Sequence, residues 1–333
     1  MVFMKKLSDI QIKLLDLLSD GCCHSGNALG TTLGVSRTAV WKQIKQLTQN
    51  GIAIESLPTQ GYRLPTPLIL LSEPRVEHNL TRLNFNHPTR LHIFSSINST
   101  NHFLKTLAPS PGLDVCSAET QTEGRGRFGR SWHSPFGENL YCSIRWHFDC
   151  DISALSGLSL VVSLAVMDTL NEFGITENIG IKWPNDILWL TKKLCGCLIE
   201  INAESNGGAE VVIGIGLNAN SATVENPLPD KPWCSLYEIT GQYFDRNKLL
   251  ATLICQLHKH INTFVCKGFP EFMDRWHQVD YLQGKLITVT HPLGTLSGVA
   301  KGINEYGQLI LLDEEGAVHY LSSGDTSLQS IGS

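Results

Sequence analysis

Residues 124–130, Gly-Arg-Gly-Arg-Phe-Gly-Arg, constrain the fold more than any other segment, because glycine alternates with arginine and only one side chain is apolar. Glycine adopts backbone conformations that other residues avoid, and the guanidinium group offers forked donors to phosphate or carboxylate. Ordering the backbone costs about 1–2 kcal/mol per residue, and each charge-assisted hydrogen bond returns about 1.5–3 kcal/mol. The segment therefore predicts a cationic loop that is mobile when empty and closes over an anionic ligand. A solvated surface loop is the alternative interpretation.

The length and charge of the chain predict several domains with different partners. Its 333 residues are enough for two or three domains, and 42% hydrophobic and 17% charged residues are typical of soluble globular proteins. Residues 1–65 hold seven Lys or Arg and four Asp or Glu, a net charge of +3. Since the whole chain carries −5, the remainder carries −8. A basic head on an acidic body favours separate partners for the two parts.

Neither a secretory signal nor a membrane span is expected. Residues 1–18 lack a continuous apolar stretch, and the most apolar run, 158–167, is short and interrupted by two serines. The ten cysteines include no Cys-x-x-Cys pair, and the two close sets, 22–24 and 195–197, lack a second half-site for zinc. We interpret the cysteines as small buried hydrophobic residues rather than metal ligands. These features indicate a cytoplasmic protein without a membrane partner and without a protein-held metal centre.

The amino-terminal segment has the pattern of a winged helix-turn-helix, which we assign to residues 1–64. Apolar residues recur at helical spacing in three short stretches. A tight turn at Gly34 separates the second stretch from the third, and Ser36 is a good N-cap for the third helix. Two short strands, 52–56 and 62–64, then form the wing.

The exposed face of the third helix predicts contacts with operator DNA, since the second helix of this motif enters the major groove. Lysine and arginine there would contact phosphates, and the residues at the start of the helix would reach base edges. The predicted DNA-binding residues are Ser36, Arg37, Thr38, Trp41, Lys42 and Lys45. A small helical domain that has a solvated basic face, or that binds a protein, is the alternative.

After a predicted linker at residues 65–90, the pattern changes to a mixed α/β domain at residues 91–270. Apolar segments of strand length alternate with helices, and residues 158–173 predict a helix buried on more than one side. The segment 214–218 lacks the third glycine of a dinucleotide-binding fingerprint, and no P-loop lysine motif is present. A nucleotide would therefore need a different cradle.

Polar residues in this domain are candidates for such a cradle. Residues 98–101, Asn-Ser-Thr-Asn, follow a strand and either bind a polar ring or cap a helix. Gln121 stands just before the arginine loop. Lys182 ends an apolar strand before Trp-Pro-Asn-Asp, and Lys193 follows a short hairpin. Each lysine taken alone is more often a solvated surface group, but a lysine beside three arginines provides a point charge for phosphate.

In this order, the wing, the Ser-Thr-Asn set, the arginine loop and the Lys-Trp-Pro-Asn-Asp pentapeptide resemble the bifunctional biotin–protein ligase and biotin-operon repressor family. The resemblance extends from the first helix to about residue 328. Its most specific strings are residues 124–132, continued by 134–141, and residues 182–186. Asn98 is a departure, because relatives carry an acidic residue before Ser-Thr-Asn.

The resemblance implies two reactions with ATP and biotin as substrates and Mg²⁺ accompanying ATP, with unassigned ligands. Biotin and ATP would give biotinyl-5′-adenylate and pyrophosphate, and a lysine of the biotin carboxyl carrier protein of acetyl-CoA carboxylase would then receive biotin. The implied biotin-binding residues are Ser99, Thr100, Asn101, Gln121, Arg125, Gly126, Arg127 and Lys193. The implied adenylate-binding residues are Arg130, Trp132, Lys182, Asn185 and Asn218. The implied catalytic residues are Lys182, Arg127 and Lys193.

The resemblance also implies the overall architecture, an α/β (α+β) multidomain protein. Apolar periodicity predicts a long helix at 247–265 and then four short strands at 286–289, 298–303, 309–312 and 318–321. The resemblance identifies these strands as a carboxyl-terminal SH3-like β-barrel at residues 284–329 with an architectural role. The adenylate-bound protein would dimerise through its central sheet and repress biotin synthesis genes. Two other functions remain open: a biotin-sensing repressor without catalysis, and a lipoate or octanoyl transferase on a related scaffold. The complete set of arginines and lysines disfavours the first, and the winged helix disfavours the second.

Overall fold

The computed structural model describes residues 7–108, 110–203, 208–222, 232–291 and 294–328. They form an amino-terminal helical unit, a central domain around a seven-stranded sheet and a carboxyl-terminal domain around a five-stranded sheet.

The amino-terminal unit is a helix-turn-helix with a wing. Its elements are α1 (Asp9–Leu18), α2 (Gly26–Leu33), α3 (Arg37–Gln49), β1 (Glu55–Leu57) and β2 (Gly61–Arg63). Serine side chains accept a backbone hydrogen bond at the start of all three helices. The turn between α2 and α3 depends on Gly34, whose φ of 67° lies in the left-handed region that favours glycine. The buried face of α3, at Val40, Ile44 and Leu47, packs into the core of this unit.

The central sheet has the strand order β3-β4-β5-β9-β8-β7-β6. Its strands are β3 (Thr89–Phe94), β4 (Leu113–Ala118), β5 (Leu140–Phe148), β6 (Ile179–Lys182), β7 (Asp186–Trp189), β8 (Lys192–Ala203) and β9 (Ala209–Leu217). The pair β3–β4 is parallel, and the other neighbours are antiparallel. The sheet is therefore mixed, and together with its helices it forms the mixed α/β domain that the sequence predicts.

Helices cover both faces of this sheet. They are α4 (Glu73–Arg82), α5 (Thr100–Thr106), α6 (Leu158–Glu172), α7 (Leu236–Thr240), α8 (Arg246–Lys267) and α9 (Met273–Val279). Leu104 of α5 packs on Cys116 and Val212, while the large core that includes α6 and α8 contains Val115 and Ile213. Because neighbouring residues of a strand point to opposite faces, α5 lies on the face opposite to α6 and α8.

Helix α6 confirms the prediction of a buried helix. One segment, Ile152–Glu172, is long and apolar enough to cross a membrane by length and composition. However, 61% of its most apolar stretch is buried inside the protein, and α6 packs against α8. This burial is typical of a core helix.

Residues 65–90, predicted as a linker, contain the helix α4. Pro74 stands in its first turn, where a missing N–H costs nothing, and Val76 and Leu80 bury one face against the central core. The segment before α4 is held by hydrogen bonds, since the amide of Asn247 donates to Leu70 O over 3.1 Å and accepts from Ser72 N over 2.9 Å. The connection between the first two domains is therefore structured.

The carboxyl-terminal domain is an antiparallel sheet with the order β13-β12-β11-β10-β14. Its strands are β10 (Leu286–His291), β11 (Gly294–Ile303), β12 (Leu309–Leu312), β13 (Val318–Leu321) and β14 (Asp325–Leu328). The sequence predicts the first four, and β14 is an addition. Two hydrogen bonds join the domain to Trp183, from its Nε1 to Gly307 O (3.0 Å) and from Thr326 Oγ1 to its carbonyl (3.1 Å).

The cysteines are all free, and most lie at least partly buried. Cys22 and Cys266 are exposed, so the prediction that the cysteines are small buried residues is wrong for these two. Cys22 lies between helices, and Cys266 lies in the last turn of α8, where one face of the helix meets solvent. Among the described residues there is no group of three or more His, Cys, Asp or Glu that could hold a metal ion.

Candidate active site

Three glycines create a cavity on the α5 face of the central sheet. Gly196 pairs with Gly216 across β8 and β9, and Gly214 pairs with Leu198 two residues further along, on the same face. A Cβ atom at Gly216 would lie 2.5 Å from the Trp132 ring, and one at Gly214 would collide with the side-chain oxygen of Asn101. Glycine is required here because other groups approach the strands closely. Residues 214–218, which lack the third glycine of a dinucleotide-binding fingerprint, therefore contribute Gly214 and Gly216 to the floor of a cavity.

Six residues predicted from the sequence lie around this cavity: Ser99, Thr100, Asn101, Gln121, Arg125 and Trp132. The free volume of the cavity is small, about 30 Å³, and the Trp132 ring lies against Gly196 and Gly216. Residues from α5, the loop after β4 and the arginine loop thus meet at one place.

The Ser-Thr-Asn set acts both as a helix cap and as part of the cavity wall. Ser99 is the N-cap of α5, and its hydroxyl accepts from the backbone N–H of His102. The Gln121 amide oxygen accepts from Thr100 N over 2.9 Å and lies 3.1 Å from Thr100 Oγ1. These contacts turn the amide nitrogen of Gln121 away from α5, where it lies 3.5 Å from Ser134 Oγ. Asn98 accepts from Ser99 N through its side-chain oxygen (2.7 Å), so an amide fills this position.

Behind Asn101 lie two polar residues that the sequence analysis missed. Ser143 Oγ lies 2.5 Å from Asn101 Oδ1 and 2.6 Å from Thr100 Oγ1, and Asn101 Nδ2 donates to Glu200 Oε2 over 2.8 Å. Burial alone would raise the pKa of Glu200, but hydrogen bonds from Lys105 and Asn101 outweigh it and lower that pKa below its ordinary value. No sequence motif marks Ser143 or Glu200, although the alternation of side chains along β5 and β8 places both on the cavity face of the sheet.

The arginine loop is a narrow hairpin. Gly126 N donates to Arg130 O over 2.7 Å, and Trp132 N donates to Gly124 O over 2.8 Å. At its tip, Phe128 and Gly129 both have positive φ, 56° and 72°. Phe128 is also more than half exposed, so the apolar residue of the loop stays outside the core. The mobility of this loop without ligand stays a prediction.

Two arginines connect this loop to the carboxyl-terminal domain. Arg127 Nη1 donates to Asn185 Oδ1 and to Gly324 O, both over 3.1 Å, and Arg130 forms an ion pair with Asp325. Burial lowers the pKa of Arg127, against the opposing charges of Asp186 and Asp325. Arg130 is not among the residues that line the cavity. The carboxyl-terminal domain contributes directly to the site, which the sequence did not indicate.

The two lysines lie on β6 and β8, the two strands that pair with β7. Lys182, at the end of β6, is only 9% exposed, and the Asn185 amide that follows donates to Cys197 O over 2.5 Å. Lys193 Nζ forms a 2.7 Å ion pair with Asp186 and lies 5.2 Å from the centre of the Trp132 ring. Asp186 belongs to the noted pentapeptide, but the sequence analysis gave it no role.

Asn218 lies on the backbone side of Lys193. Its amide donates to Cys234 O over 3.0 Å and approaches Lys193 O at 3.4 Å, and it is not among the residues that line the cavity. In the structure it supports the strand end that carries Lys193. Its proposed contact with an adenylate stays a prediction.

The predicted DNA-contacting residues form one exposed surface of α3. All six side chains are exposed, and Lys45 Nζ lies 5.3 Å from the centre of the Trp41 ring. The Ser36 hydroxyl caps the helix by accepting a hydrogen bond from Ala39 N over 3.2 Å. Its hydrogen is still available for a base or phosphate. Their binding to DNA stays a prediction.

Family comparisons divide the chain in the same order as the structure. Residues 11–63 match the family described as "HTH domain", residues 93–218 match "Biotin/lipoate A/B protein ligase family", and residues 284–328 match "Biotin protein ligase C terminal domain".

Comparison with known proteins gives whole-length relatives. The chain is 35% identical to "Bifunctional ligase/repressor BirA" of Salmonella typhimurium and 34% identical to the Escherichia coli protein of that name, covering 98% of this chain and 99% of each relative. A solved structure, "Biotin protein ligase from Aquifex aeolicus in complex with biotin and ATP", is similar with a TM-score of 0.62 and 30% identity, over 72% of this chain and 98% of that chain. The chain therefore belongs to the family of bifunctional biotin–protein ligases and repressors.

Proposed function

We propose that this protein joins biotin to the lysine of a biotin carboxyl carrier protein, using ATP, and that it represses biotin synthesis genes in response to biotin. Biotin ligation and repression are the roles of its family. The observation that supports the proposal most strongly is the meeting of the arginine loop with the polar cavity, beside Lys193.

In the first step, a carboxylate oxygen of biotin attacks the α-phosphorus of ATP, the bond to pyrophosphate breaks, and biotinyl-5′-adenylate forms. Both reactants are anions, so fixed cations in a site that excludes water provide the main stabilisation. Arg125 and Arg127 would hold the carboxylate and phosphate, and Lys182 would neutralise charge that develops on phosphate. A substrate oxygen would replace Asp186 as the partner of Lys193.

In the second step, the lysine amine of the carrier protein attacks the acyl carbon, and AMP leaves as the amide forms and the nitrogen loses a proton. Lys193, which would contact the acyl oxygen, stabilises the charge that develops there. The reaction requires no nucleophilic side chain of this protein, because the mixed anhydride is already activated.

Trp132 is proposed to stack on adenine. Its indole nitrogen is buried and has no hydrogen-bond partner among the described residues. Such a group costs about 1–3 kcal/mol, which a ligand acceptor would recover. At about 30 Å³ the cavity holds only a few water molecules. We therefore expect its walls, including the Trp132 ring, to move outward when biotin binds.

Mg²⁺ is proposed to enter with ATP. This ion binds through one or two carboxylates, with phosphate oxygens and water completing its shell. Asp186 and Asp325 are the carboxylates that lie beside Arg127, and both form ion pairs with cations. This donor set fits an ion held mainly by the nucleotide, and the ion would supply further neutralisation of phosphate charge.

Repression is proposed to depend on α3 and on dimerisation. The six exposed residues of α3 would bind operator DNA, and the adenylate-filled protein would pair through its central sheet. Ordering a loop on ligand binding lowers the cost of a second association that needs the ordered loop. We place this protein in the cytoplasm, where carrier protein, ATP and DNA are present.

The test is transfer of radiolabelled biotin to an apo carrier domain in the presence of ATP. We expect wild-type protein to transfer label, and Lys182→Ala and Arg127→Ala to slow adenylate formation about 10²–10³-fold, the usual effect of removing one preorganised electrostatic group. Glu271→Gln, at an exposed side chain whose partner is Lys267 at the end of α8, is the control and should transfer at the wild-type rate. Biotin binding without transfer by wild-type protein would favour a non-catalytic sensor, and transfer of octanoate or lipoate instead would favour the related transferase.

A further inference from the structure

A chain of polar contacts runs from the protein surface to the cavity. It begins at Lys105 Nζ, which donates to Glu200 Oε1 over 2.5 Å, and continues from Asn101 Nδ2 to Glu200 Oε2 over 2.8 Å. It then passes through Ser143 and ends at Thr100 on the cavity wall. The inner three residues are at least 94% buried, so water does not compete with these bonds.

The ionised carboxylate fixes the direction of every hydrogen in this chain. A carboxylate only accepts, so the amide nitrogen of Asn101 must face Glu200 and the amide oxygen must face Ser143. Ser143 has one hydrogen, which it donates to that oxygen. For its 2.6 Å contact with Thr100 it must then accept, because two lone pairs at this distance would repel each other.

The hydroxyl of Thr100 has two acceptors inside the protein, Ser143 Oγ at 2.6 Å and Gln121 Oε1 at 3.1 Å, and the shorter contact takes its one hydrogen. Towards a ligand it can therefore only accept. Gln121 has the opposite polarity: its oxygen accepts from the backbone N–H of Thr100, and its nitrogen donates one hydrogen to Ser134 Oγ over 3.5 Å and keeps a second for a ligand. The cavity wall thus offers an acceptor beside a donor. This pairing fits a cyclic urea, which has N–H donors next to a carbonyl acceptor.

We propose that Glu200 is a positioning residue for biotin, which sets the hydrogen-bond polarity of the cavity through Asn101, Ser143 and Thr100 without touching the ligand. The proposal rests on the function proposed above. A neutral amide at this position would both donate and accept, so Asn101 could rotate and the hydroxyls behind it could reverse. The cavity would then present a mixture of polarities.

The test compares Glu200→Gln with Lys105→Ala in the full-length protein. Glu200→Gln should raise the KM for biotin about tenfold, the equivalent of losing one net hydrogen bond, and leave kcat and the KM for ATP within about twofold of wild type. Lys105→Ala keeps the carboxylate, which still accepts from Asn101, and in an assay at about pH 8 the carboxylate stays ionised without the lysine. The KM for biotin should therefore change less than about twofold. Equal effects of the two variants would mean that the ion pair is merely structural and would overturn the proposal.

A second readout uses a biotin analogue in which oxygen replaces one ring N–H. Wild-type protein should discriminate against it, and Glu200→Gln should discriminate less, because reversed hydroxyls can donate to the new oxygen. Unchanged discrimination would contradict the proposal. If Glu200→Gln does not fold, Ser143→Ala breaks the same chain at its middle and should give the same rise in the KM for biotin. Wild-type protein that transfers no biotin would instead overturn the proposed function.

Discussion

Helix α3 and the cavity beside α5 both present hydroxyl, amide and cationic side chains to a ligand, but they hold them differently. On α3 all six residues are exposed, and apart from the Ser36 cap and the Lys45–Trp41 contact they depend little on one another. Around the cavity, Thr100, Asn101 and Ser143 are buried and share hydrogens.

This difference follows from the ligand that each surface is proposed to bind. A DNA duplex is large and brings its own charge to the surface, so solvated side chains can reach it independently. A small molecule has to be enclosed, and an enclosing wall must bury its polar groups in pairs. We therefore expect substitutions on α3 to act singly and weakly, and substitutions around the cavity to act strongly and through neighbours.

The largest expected effect is on Arg246, at the start of α8, whose ion-pair partner Glu119 stands two residues before Gln121 of the cavity wall. This side chain is 1% exposed, forms a 2.6 Å ion pair with Glu119 and donates to Ile69 O over 2.9 Å. Arg246→Ala leaves Glu119 buried and unpaired, which should lower the free energy of unfolding by about 3–5 kcal/mol. Urea denaturation followed by tryptophan fluorescence measures this change.

The matched control for Arg246 is Arg37→Ala on α3, which should change stability by less than about 0.5 kcal/mol. Similar losses of stability in the two variants would contradict the comparison, because an exposed arginine would then depend on its neighbours as much as a buried one does.

The next effect concerns acid stability and Asp114, which accepts from Arg145 Nη2 over 2.5 Å and Arg90 Nε over 2.7 Å. Burial raises the pKa of Asp114, but the two arginines outweigh it and bring that pKa to about 2, from an ordinary 3.8. The stability it contributes is complete above pH 4 or so and is lost as pH falls towards about 2. Asp114→Asn should cost roughly 2 kcal/mol at pH 7.

Denaturation of both proteins between pH 7 and pH 2 measures this linkage, and the difference between them should shrink as pH falls. Because Arg145 also donates to the carbonyl of Leu107, at the end of α5, biotin affinity should fall together with stability. A difference in stability that stays constant across this range would show that the pKa of the Asp114 carboxyl is the same in the folded and the unfolded protein.

The smallest expected effect belongs to Lys42. Lys42→Ala should weaken operator binding about uniformly across sequences and reduce the salt slope by about 1, because one phosphate contact is lost. Ligation should not change. Binding measured between 50 and 200 mM salt, roughly the range in which such contacts dominate, gives the slope. An unchanged slope would place Lys42 outside the DNA contacts.

The sequence predicted most of the fold and much of the site because local signals mark them. Gly34 and Ser36 specify the turn and the cap of α3 within a few residues, and the apolar run of α6 specifies its burial. The family and the fold class are confirmed. The roles of individual site residues stay predictions, although six of them surround one cavity.

Other features could not be predicted, because no short segment contains them. The structured connection at residues 65–90 depends on Asn247 and Arg246, far along the chain. The contact of Arg127 with Gly324 joins residues 197 positions apart. Periodicity and spacing report only on neighbours in sequence, so a charged residue such as Glu200 looks the same whether it meets water or Asn101.

By itself, therefore, the sequence determined the order of the three domains, the start and turn of the recognition helix and the glycine-spaced cationic loop. These depend on backbone preferences and periodicity that act over a few residues. Only the tertiary structure decided that Gly196, Gly214 and Gly216 form one floor and that Glu200 stands behind Asn101. Such placements arise from strand register, because alternation across paired strands brings distant residues onto the same face.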